Sequence, residues 1–231
     1  MNAQISSEFI ILEFISAPSV PFQMTLYAEK LFIDWGDGKC LSYDPQNIYF
    51  NLQHAYRTEE VHRIKIFGSK ISFLSLTNQR VVNLLLSNCP SLEYLHCEGN
   101  ELTELNLSNC PRLEELHCNS NNLTEFELPL HNHLNYLNLS HNSLSVLVLK
   151  NAHSLQRLYC SHCHLYELDL SDCHSINNLN ISHNFLPTSV LDRLIESLPE
   201  KKATDYATLY FSMNPGVSKQ QAQILQDKGW H

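Results

Sequence analysis

The stretch that decides the fold is residues 92–107, which read LEYLHCEGNELTELNL and recur 21 residues later, at 113–128, as LEELHCNSNNLTEFEL. Continued along the chain, the same step sets up apolar columns and one polar column. The apolar columns are Leu92, Leu113, Leu134, Leu155 and Ile176; Leu74, Leu95, Leu116, Leu137, Leu158 and Leu179; Leu76, Cys97, Cys118, Leu139, Cys160 and Ile181; and Val81, Leu102, Leu123, Leu144, Leu165 and Leu186. The polar column is Asn100, Asn121, Asn142, Cys163 and Asn184. Columns that stay in phase over so many copies indicate an internal structural repeat.

The spacing within one copy predicts a flattened coil. In Leu95-His96-Cys97, alternation with period 2 turns both apolar side chains to one face and the histidine to the other. A second alternating stretch, Leu105-Asn106-Leu107, is expected to return on the opposite side of the coil. Since one coil cannot bury its apolar face alone, the copies must stack. The pattern resembles the leucine-rich repeat at the short end of its length range. This resemblance implies a right-handed solenoid of the α/β class, here rich in short strands.

The asparagine column lies where the chain leaves each strand. An amide side chain both donates and accepts hydrogen bonds, so it is expected to satisfy backbone groups in the turns that no strand ladder reaches. Cys163 interrupts this column, and a thiol is a weaker donor and acceptor than an amide.

Composition excludes several classes of partner. The chain has 231 residues, 43% of them hydrophobic, and a net charge of −9, which argues against nucleic acid and anionic membrane surfaces. No apolar run approaches the length of a membrane span. Residues 9–15, FIILEFI, include Glu13 and have no basic lead, so they predict a strand rather than a signal peptide.

The cysteines do not suggest a disulfide scaffold. Three of the eight share a column with Leu and Ile, and Cys89, Cys110 and Cys173 share another with Ala152. Cysteines that alternate with Leu or Ala act as small hydrophobic residues, so reduced, buried thiols are expected.

The first 68 residues do not follow the repeat and predict a small antiparallel β-domain that covers the first coil. Strands are expected at residues 9–16, 22–28, 31–35, 48–56 and 61–67. The run Ile33-Asp34-Trp35-Gly36-Asp37-Gly38, with His54-Ala55-Tyr56 downstream, resembles the PKD-like β-domains. Asp34, Asp37 and Asp44 are also candidate cation ligands, but Asp-Gly turns and a core filled by Trp35 and Tyr56 account for the motif better.

The repeats are expected to span residues 69–187, and residues 188–231 to form a helix–strand–helix cap. Thr188 is expected to cap the first of these helices, residues 207–212 to form a strand and residues 218–228 the last helix. Here the resemblance becomes more specific. Repeats of the type L-x-x-L-x-C-x-x-N-x-L-T, a W-G-D-G domain, and the endings Ser197-Leu198-Pro199, Asn214-Pro215-Gly216 and Lys228-Gly229-Trp230 resemble secreted or surface leucine-rich-repeat proteins of gut Bacteroidetes. The resemblance implies an adhesion or binding role and a secreted or cell-surface location, whereas the lack of a signal peptide leaves a cytoplasmic location open.

One constellation suggests an alternative function, metal or haem binding. Cys160-Ser161-His162-Cys163-His164 matches the C-x-x-C-H haem attachment signature, and His141, His162 and His183 form a column in successive copies. The register argues against haem, because Cys160 lies in an inward apolar column and Cys163 in the asparagine column. No cofactor and no metal are therefore expected, and the sequence contains no motif typical of an enzyme.

The outward residues of the first strand of each copy form the candidate binding surface. They form three columns: Tyr94, Glu115, Tyr136, Arg157 and Asn178; His96, His117, Asn138, Tyr159 and Asn180; and Glu98, Asn119, Ser140, Ser161 and Ser182. Aromatic residues and arginine are enriched in binding surfaces. The sequence thus predicts a non-catalytic module that binds a protein, a peptide or a glycan, with Tyr94, His96, Glu115, His117, Tyr136, Arg157 and Tyr159 as the contact residues.

Overall fold

The structure, a computed structural model, describes residues 8–43, 48–129 and 133–231. The chain forms two compact units, Met1–Leu113 and Glu114–His231. Among the described residues, no helix is long and apolar enough to cross a membrane.

The first unit is built of strands. They are β1 (Glu8–Ile15), β2 (Phe22–Ala28), β3 (Lys30–Asp34), β4 (Cys40–Tyr43), β5 (Ile48–His54), β6 (Val61–Ser69), β7 (Phe73–Ser75), β8 (Val81–Asn88) and β9 (Tyr94–His96). Five of them lie where the sequence predicts strands, within a few residues at each end. The short strand β4 was not predicted, because its sequence CLSY shows little alternation between apolar and polar residues.

Two sheets make up this unit. One has the strand order β4-β3-β6-β1-β8, and β1 pairs antiparallel with both β6 and β8. In the other, β2 pairs antiparallel with β5 and β7, and β7 pairs parallel with β9. Alternation with period 2 buries one face of the longer strands, as in β1, where Ile10, Leu12 and Phe14 are buried.

The two sheets continue across residue 68, the expected end of the N-terminal domain. The first coil supplies β7 and β8, which pair with β2 and β1 respectively. Glu8, at the start of β1, is only 2% exposed. Its carboxylate accepts hydrogen bonds from the backbone N–H groups of Ile71 and, at 3.0 Å, Ser91. The N-terminal strands therefore cover the first coil's strand edges and also satisfy its backbone.

The second unit contains short parallel strands followed by two helices. Its elements are β10 (Glu115–His117), β11 (Tyr136–Asn138), β12 (Val146–Val148), β13 (Arg157–Tyr159), β14 (Glu167–Asp169), β15 (Asn178–Asn180), α1 (Thr188–Ser197), β16 (Thr208–Tyr210) and α2 (Lys219–Asp227). Strands β10, β11, β13, β15 and β16 pair in parallel in that order, and β12 pairs with β14 on the returning side of the coils. The register sets each residue beside its repeat equivalent, such as Leu137 beside Leu158.

The columns predicted to face inward are confirmed. All their members are buried, including Cys97, Cys118 and Cys160. The returning stretches differ in secondary structure: Val146–Val148 and Glu167–Asp169 are strands, whereas residues 105–107 are not. The repeats thus form a strand-rich solenoid, with both α-helices of the described residues in the C-terminal segment.

The predicted role of the asparagine column is also confirmed. Asn184 accepts hydrogen bonds from the backbone N–H groups of Cys163 and Leu165, both at 3.0 Å. Its amide donates to the carbonyls of Cys160 and Ile181, at 2.8 and 3.0 Å. Asn100 and Asn142 make the equivalent bonds in their own units. Because these side chains are buried, each amide replaces hydrogen bonds that water would otherwise supply.

The C-terminal segment differs from the prediction at one cap. Helix α1 follows Pro187 and has no side-chain cap, so Thr188 is its first residue and not its cap. The carbonyl of Pro187 accepts hydrogen bonds from the backbone N–H groups of Val190 and Leu191, both at 3.1 Å, and no side-chain hydroxyl contributes at this end of the helix. Helix α2, by contrast, is capped by Ser218, whose hydroxyl accepts from the backbone N–H of Gln221.

Candidate functional site: the strand face of the repeats

The strand face of the second unit consists of the outward side chains of β10, β11, β13, β15 and β16. The parallel register arranges them in two columns, Glu115, Tyr136, Arg157, Asn178 and Thr208, and His117, Asn138, Tyr159, Asn180 and Tyr210. The central residue of each strand is buried, and the residues on either side of it are half-buried or exposed. The side chains of these columns therefore line one face of a regular sheet without belonging to the core.

Five of the seven predicted contact residues come together on this face. The rings of His117 and Tyr136 stack at 4.5 Å between centroids, and those of Tyr136 and Tyr159 lie 5.6 Å apart. Arg157 places its guanidinium carbon 4.9 Å from the centre of the Tyr136 ring. Glu115 Oε1 lies 2.7 Å from His117 Nε2. We call His117, Tyr136, Arg157 and Tyr159, with Glu115, the aromatic cluster.

Tyr136 is the centre of this cluster, contacted from the strands on both sides of β11. Burial raises the pKa of its hydroxyl, and the nearby Tyr159 and Glu115 raise it further. The hydroxyl therefore stays protonated at neutral pH and can donate a hydrogen bond to a ligand. The Arg157 contact is a cation–π interaction, which stabilises both side chains in an outward orientation.

The other two predicted residues, Tyr94 and His96, lie on β9 in the first unit. Both are half-buried. Strand β9 pairs with β7, which sets Phe73 beside Tyr94, and the Phe73 and His96 rings meet edge to face at 5.2 Å. Within the first unit, the same repeat positions thus also carry aromatic side chains.

Sequence reasoning missed the end of the strand face. Strand β16 adds Thr208 and Tyr210 in register with Asn178 and Asn180, and the Asn178 amide donates to the Thr208 hydroxyl at 2.9 Å. Tyr210 is 60% exposed. The 21-residue step does not reach these residues, because helix α1 is inserted before β16.

The third predicted outward column is largely wrong. Ser140, Ser161 and Ser182 are each only 8% exposed. The Ser161 hydroxyl donates to that of Ser140 at 3.2 Å, and the Ser182 hydroxyl donates to Asn180 Oδ1 at 2.7 Å. These serines lie where the chain turns out of the strand, so they are hydrogen-bonded members of the turn and not part of the binding surface.

The cysteines of the C-x-x-C-H sequence are not arranged for haem attachment. Cys160 and Cys163 are both fully buried, and burial raises the pKa of each thiol. The Cys163 thiol donates to the Leu139 carbonyl at 3.1 Å, the bond that an asparagine of the column makes in other coils. Thiols in these positions are structural and cannot reach a haem outside the coil.

The histidine column, by contrast, lies at the surface. The rings of His141 and His162 stack at 4.6 Å with planes 10° apart, and those of His162 and His183 at 4.2 Å with planes 12° apart. All three side chains are exposed. Since the planes of adjacent rings are nearly parallel, the nitrogens of neighbouring histidines lie side by side and do not converge in this conformation.

The W-G-D-G segment of the first unit forms a turn, as the sequence indicates. The Asp34 and Asp37 carboxylates accept hydrogen bonds from the backbone N–H groups of Gly36 and Lys39 respectively. Asp37 Oδ2 also lies 2.9 Å from His54 Nε2. The His54 ring stacks on Trp35 at 4.6 Å. The Tyr56 hydroxyl donates to the Trp35 carbonyl at 2.7 Å. These bonds occupy both carboxylates, and Asp44, the third candidate cation ligand, lies outside the described residues.

Comparison with known proteins gives little beyond the repeat itself. No family model and no curated protein matches the chain. Among solved structures, the chain is similar to the functional domain of InlJ from Listeria monocytogenes, which includes a cysteine ladder. The identity is 20% and the TM-score 0.40, over 69% of this chain and 49% of that one. The chain therefore spans about half the length of that domain. The parallel strands of this chain, and the hydrogen bonds that its asparagine column makes between successive coils (the asparagine ladder), show that it is a repeat solenoid protein.

Proposed function

We propose that the chain is a non-catalytic recognition module that binds a protein or peptide partner through the strand face of its repeats. The observation that carries the proposal is the aromatic cluster, in which large amphipathic side chains from three adjacent strands contact one another outside the core. Tyrosine and arginine dominate binding energy at interfaces, where they combine a large contact area with polar groups.

The arrangement of the cluster reduces the entropy that binding would cost. Strands β10, β11 and β13 hold the five side chains of the cluster at fixed positions, and the contacts among these side chains restrict their rotamers further. A partner then meets side chains that are already ordered, which saves about 0.5–1.5 kcal/mol for each one that would otherwise be immobilised on binding.

A protein or peptide fits this surface better than a glycan does. Sugars bind aromatic side chains by stacking on an open ring face, and the Tyr136 ring is contacted by His117 and Arg157 from the strands on either side. What Tyr136 offers is its hydroxyl and ring edge, beside the Arg157 guanidinium and the Glu115 carboxylate. These groups suit the mixed apolar and hydrogen-bonded contacts of a protein surface. The resemblance to surface leucine-rich-repeat proteins supports an extracellular setting for such a partner.

The test compares two double variants of the purified chain. Tyr136→Ala with Tyr159→Ala removes the centre of the cluster. Tyr166→Ala with Phe185→Ala removes two other exposed aromatic side chains of the same unit, outside the strands of the face. The immobilised wild-type chain is screened against an array of extracellular proteins and an array of glycans, and the Kd of each ligand found is measured with all three forms.

We expect a protein ligand whose affinity falls by about 2 kcal/mol or more, roughly thirtyfold, in the strand-face variant. The Tyr166/Phe185 variant should bind as the wild type does. Equal affinity of the strand-face variant and the wild type would exclude this face as the site. If ligands are found only on the glycan array, the partner is a carbohydrate and not a protein.

A further inference from the structure

His141, His162, His183 and Met213 occupy the same position in successive coils. Each histidine comes directly before a residue of the asparagine column, and Met213 comes directly before Asn214. All four have a left-handed backbone conformation, with φ of 58°, 54°, 55° and 57°. The backbone N–H of His141, His162 and His183 donates to the carbonyl of Ser161, Ser182 and Ser212 respectively, at 2.9, 3.2 and 3.0 Å. Since each acceptor directly precedes the next member of the column, these bonds align the four residues one coil apart. Met213 was not predicted, because helix α1 lies between it and His183.

The side chains of this column are available to a ligand. All four are exposed, Met213 at 71%. Among the described residues, the ring nitrogens of His141, His162 and His183 have no hydrogen-bond or ion-pair partner. A left-handed conformation is uncommon for residues other than glycine, and histidine is enriched there with Asn and Asp. The same turn position is left-handed in the earlier coils, at Asn78, Gly99 and Ser120, so the conformation is a property of the turn and does not explain why histidine and methionine occupy it.

We propose that His162, His183 and Met213 form a binding site for a single copper ion. Imidazole nitrogen binds copper and several other transition metals, whereas a thioether sulfur specifically favours Cu(I). The His162 and His183 rings are 4.2 Å apart, which makes them the closer of the two histidine pairs in the column. Met213 takes the next position of the column, one coil after His183. Among the described residues of the column, this is where two imidazoles and a thioether occur in successive coils.

Binding requires only side-chain rotation. With the ring planes 12° apart, the nitrogen lone pairs run side by side and do not yet converge. Rotation of both exposed rings would bring one nitrogen of each to about 2.0–2.1 Å from a common ion, the usual metal–imidazole distance. The backbone hydrogen bonds between these coils hold the main chain of the three residues in place during the rotation. His141 lies beyond His162 and is not required.

The site is tested with the full chain, purified without a histidine tag and carrying Cys40→Ser, so that the one exposed thiol does not bind copper. After treatment with EDTA, the protein competes with a colorimetric chelator for Cu(I) under anaerobic conditions, and Cu(II) binding is measured separately. We expect one Cu(I) per chain. His183→Ala should weaken Cu(I) binding by about tenfold or more, at least the loss that removing a supporting partner of a metal ligand causes.

Two further variants make the result specific. Met213→Leu keeps the side-chain volume and removes the sulfur, so it should weaken Cu(I) binding more than Cu(II) binding. His153→Ala removes an exposed histidine from another stacked pair, with His174, outside the column, and should leave both affinities unchanged. Equal Cu(I) affinity of His183→Ala and its parent would overturn the proposal, as would loss of binding in His153→Ala alone. Equal Cu(I) affinity of Met213→Leu and its parent would remove Met213 from the site. Circular dichroism confirms that each variant is folded.

Discussion

Asn184 and Asn214 donate side-chain amide hydrogens to the same acceptor, the backbone carbonyl of Ile181, at 3.0 and 2.9 Å. Asn184 does so within its own coil, and Asn214 from the following one. Asn214 also accepts from the backbone N–H of Leu186 at 3.1 Å, as Asn184 accepts from that of Leu165. The Asn214-Pro215-Gly216 turn is thus the last step of the asparagine ladder, although helix α1 separates it from the repeats in sequence.

The first prediction follows from this ladder. Asn214→Ala should lower the free energy of unfolding by about 2–4 kcal/mol, because the N–H of Leu186 and the carbonyl of Phe211 lose their partner in a buried turn. Each such group costs about 1–3 kcal/mol before relaxation and water entry reduce the total. Urea unfolding followed by circular dichroism measures the change. Asn106→Ala is the control, since Asn106 is exposed and makes one local bond, to the N–H of Ser108. A loss no larger than that of the control would mean that Asn214 is not part of the ladder.

The second prediction concerns Cys163, which interrupts the ladder. Its thiol reproduces the bond to the Leu139 carbonyl. Sulfur is, however, a poorer acceptor of backbone N–H groups than an amide oxygen such as that of Asn184, which accepts from Cys163 and Leu165. Cys163→Asn should therefore stabilise the chain by about 0.5–1.5 kcal/mol, the net value of one hydrogen bond. Cys163→Ala should destabilise it. Destabilisation by both substitutions would mean that the pocket is shaped for sulfur.

The repeat could be predicted from sequence because its evidence is local and periodic. A strict 21-residue step places Leu116, Leu137 and Leu158 in one column whatever the rest of the chain does, and these residues are buried side by side. The step fails where a helix is inserted, which is why Asn214, Met213 and Tyr210 were missed. The pairing of β8 with β1 was missed for a different reason, since neither strand's sequence specifies its partner across such a long separation.

The candidate site was predictable as a set of columns but not as a contact network. Period-2 alternation correctly turned Tyr136, Arg157 and Tyr159 outward. Which outward side chains contact one another depends on rotamers, and sequence spacing does not determine them. The serine column shows the limit of alternation, because Ser140 lies just past the end of β11, where the period-2 pattern no longer applies.

The third prediction concerns thiol reactivity. All eight cysteines are free, and Cys40 alone is exposed. One thiol per chain should react with a thiol reagent in the native protein and all eight after unfolding in denaturant, measured by absorbance or by mass. Cys40→Ser should abolish the native reaction. Rapid reaction of Cys163 in the native state would contradict its buried position.

The fourth prediction concerns acid stability. Burial raises the pKa of Asp37, but the hydrogen bond with His54, the N–H of Lys39 and their charges outweigh it and lower the pKa from 3.8 to about 2. Between these values the unfolded chain binds more protons than the folded one, so this contribution is complete above pH 3.8 and is lost as the pH falls towards 2. Asp37→Asn should cost about 1 kcal/mol at pH 7, since solvent screens a partly exposed pair, and almost nothing near pH 2. Asp227→Asn, in the exposed part of α2, is the control in urea unfolding at both pH values. A deficit in Asp37→Asn that is independent of pH would assign the loss to turn geometry and not to charge.

The last prediction separates the strand face from the core at adjacent positions. Leu137 is fully buried between Leu116 and Leu158, so Leu137→Ala should cost about 2–5 kcal/mol through the cavity it leaves. Tyr136 lies outside the core, but its ring contacts His117 and Arg157, so Tyr136→Ala should cost about 0.5–1.5 kcal/mol, the value of such ring contacts. Thermal and urea unfolding of both variants measure the difference. Similar losses would show that Tyr136 is needed for the coil to fold, and a loss of affinity in its variants could then no longer be assigned to the binding surface.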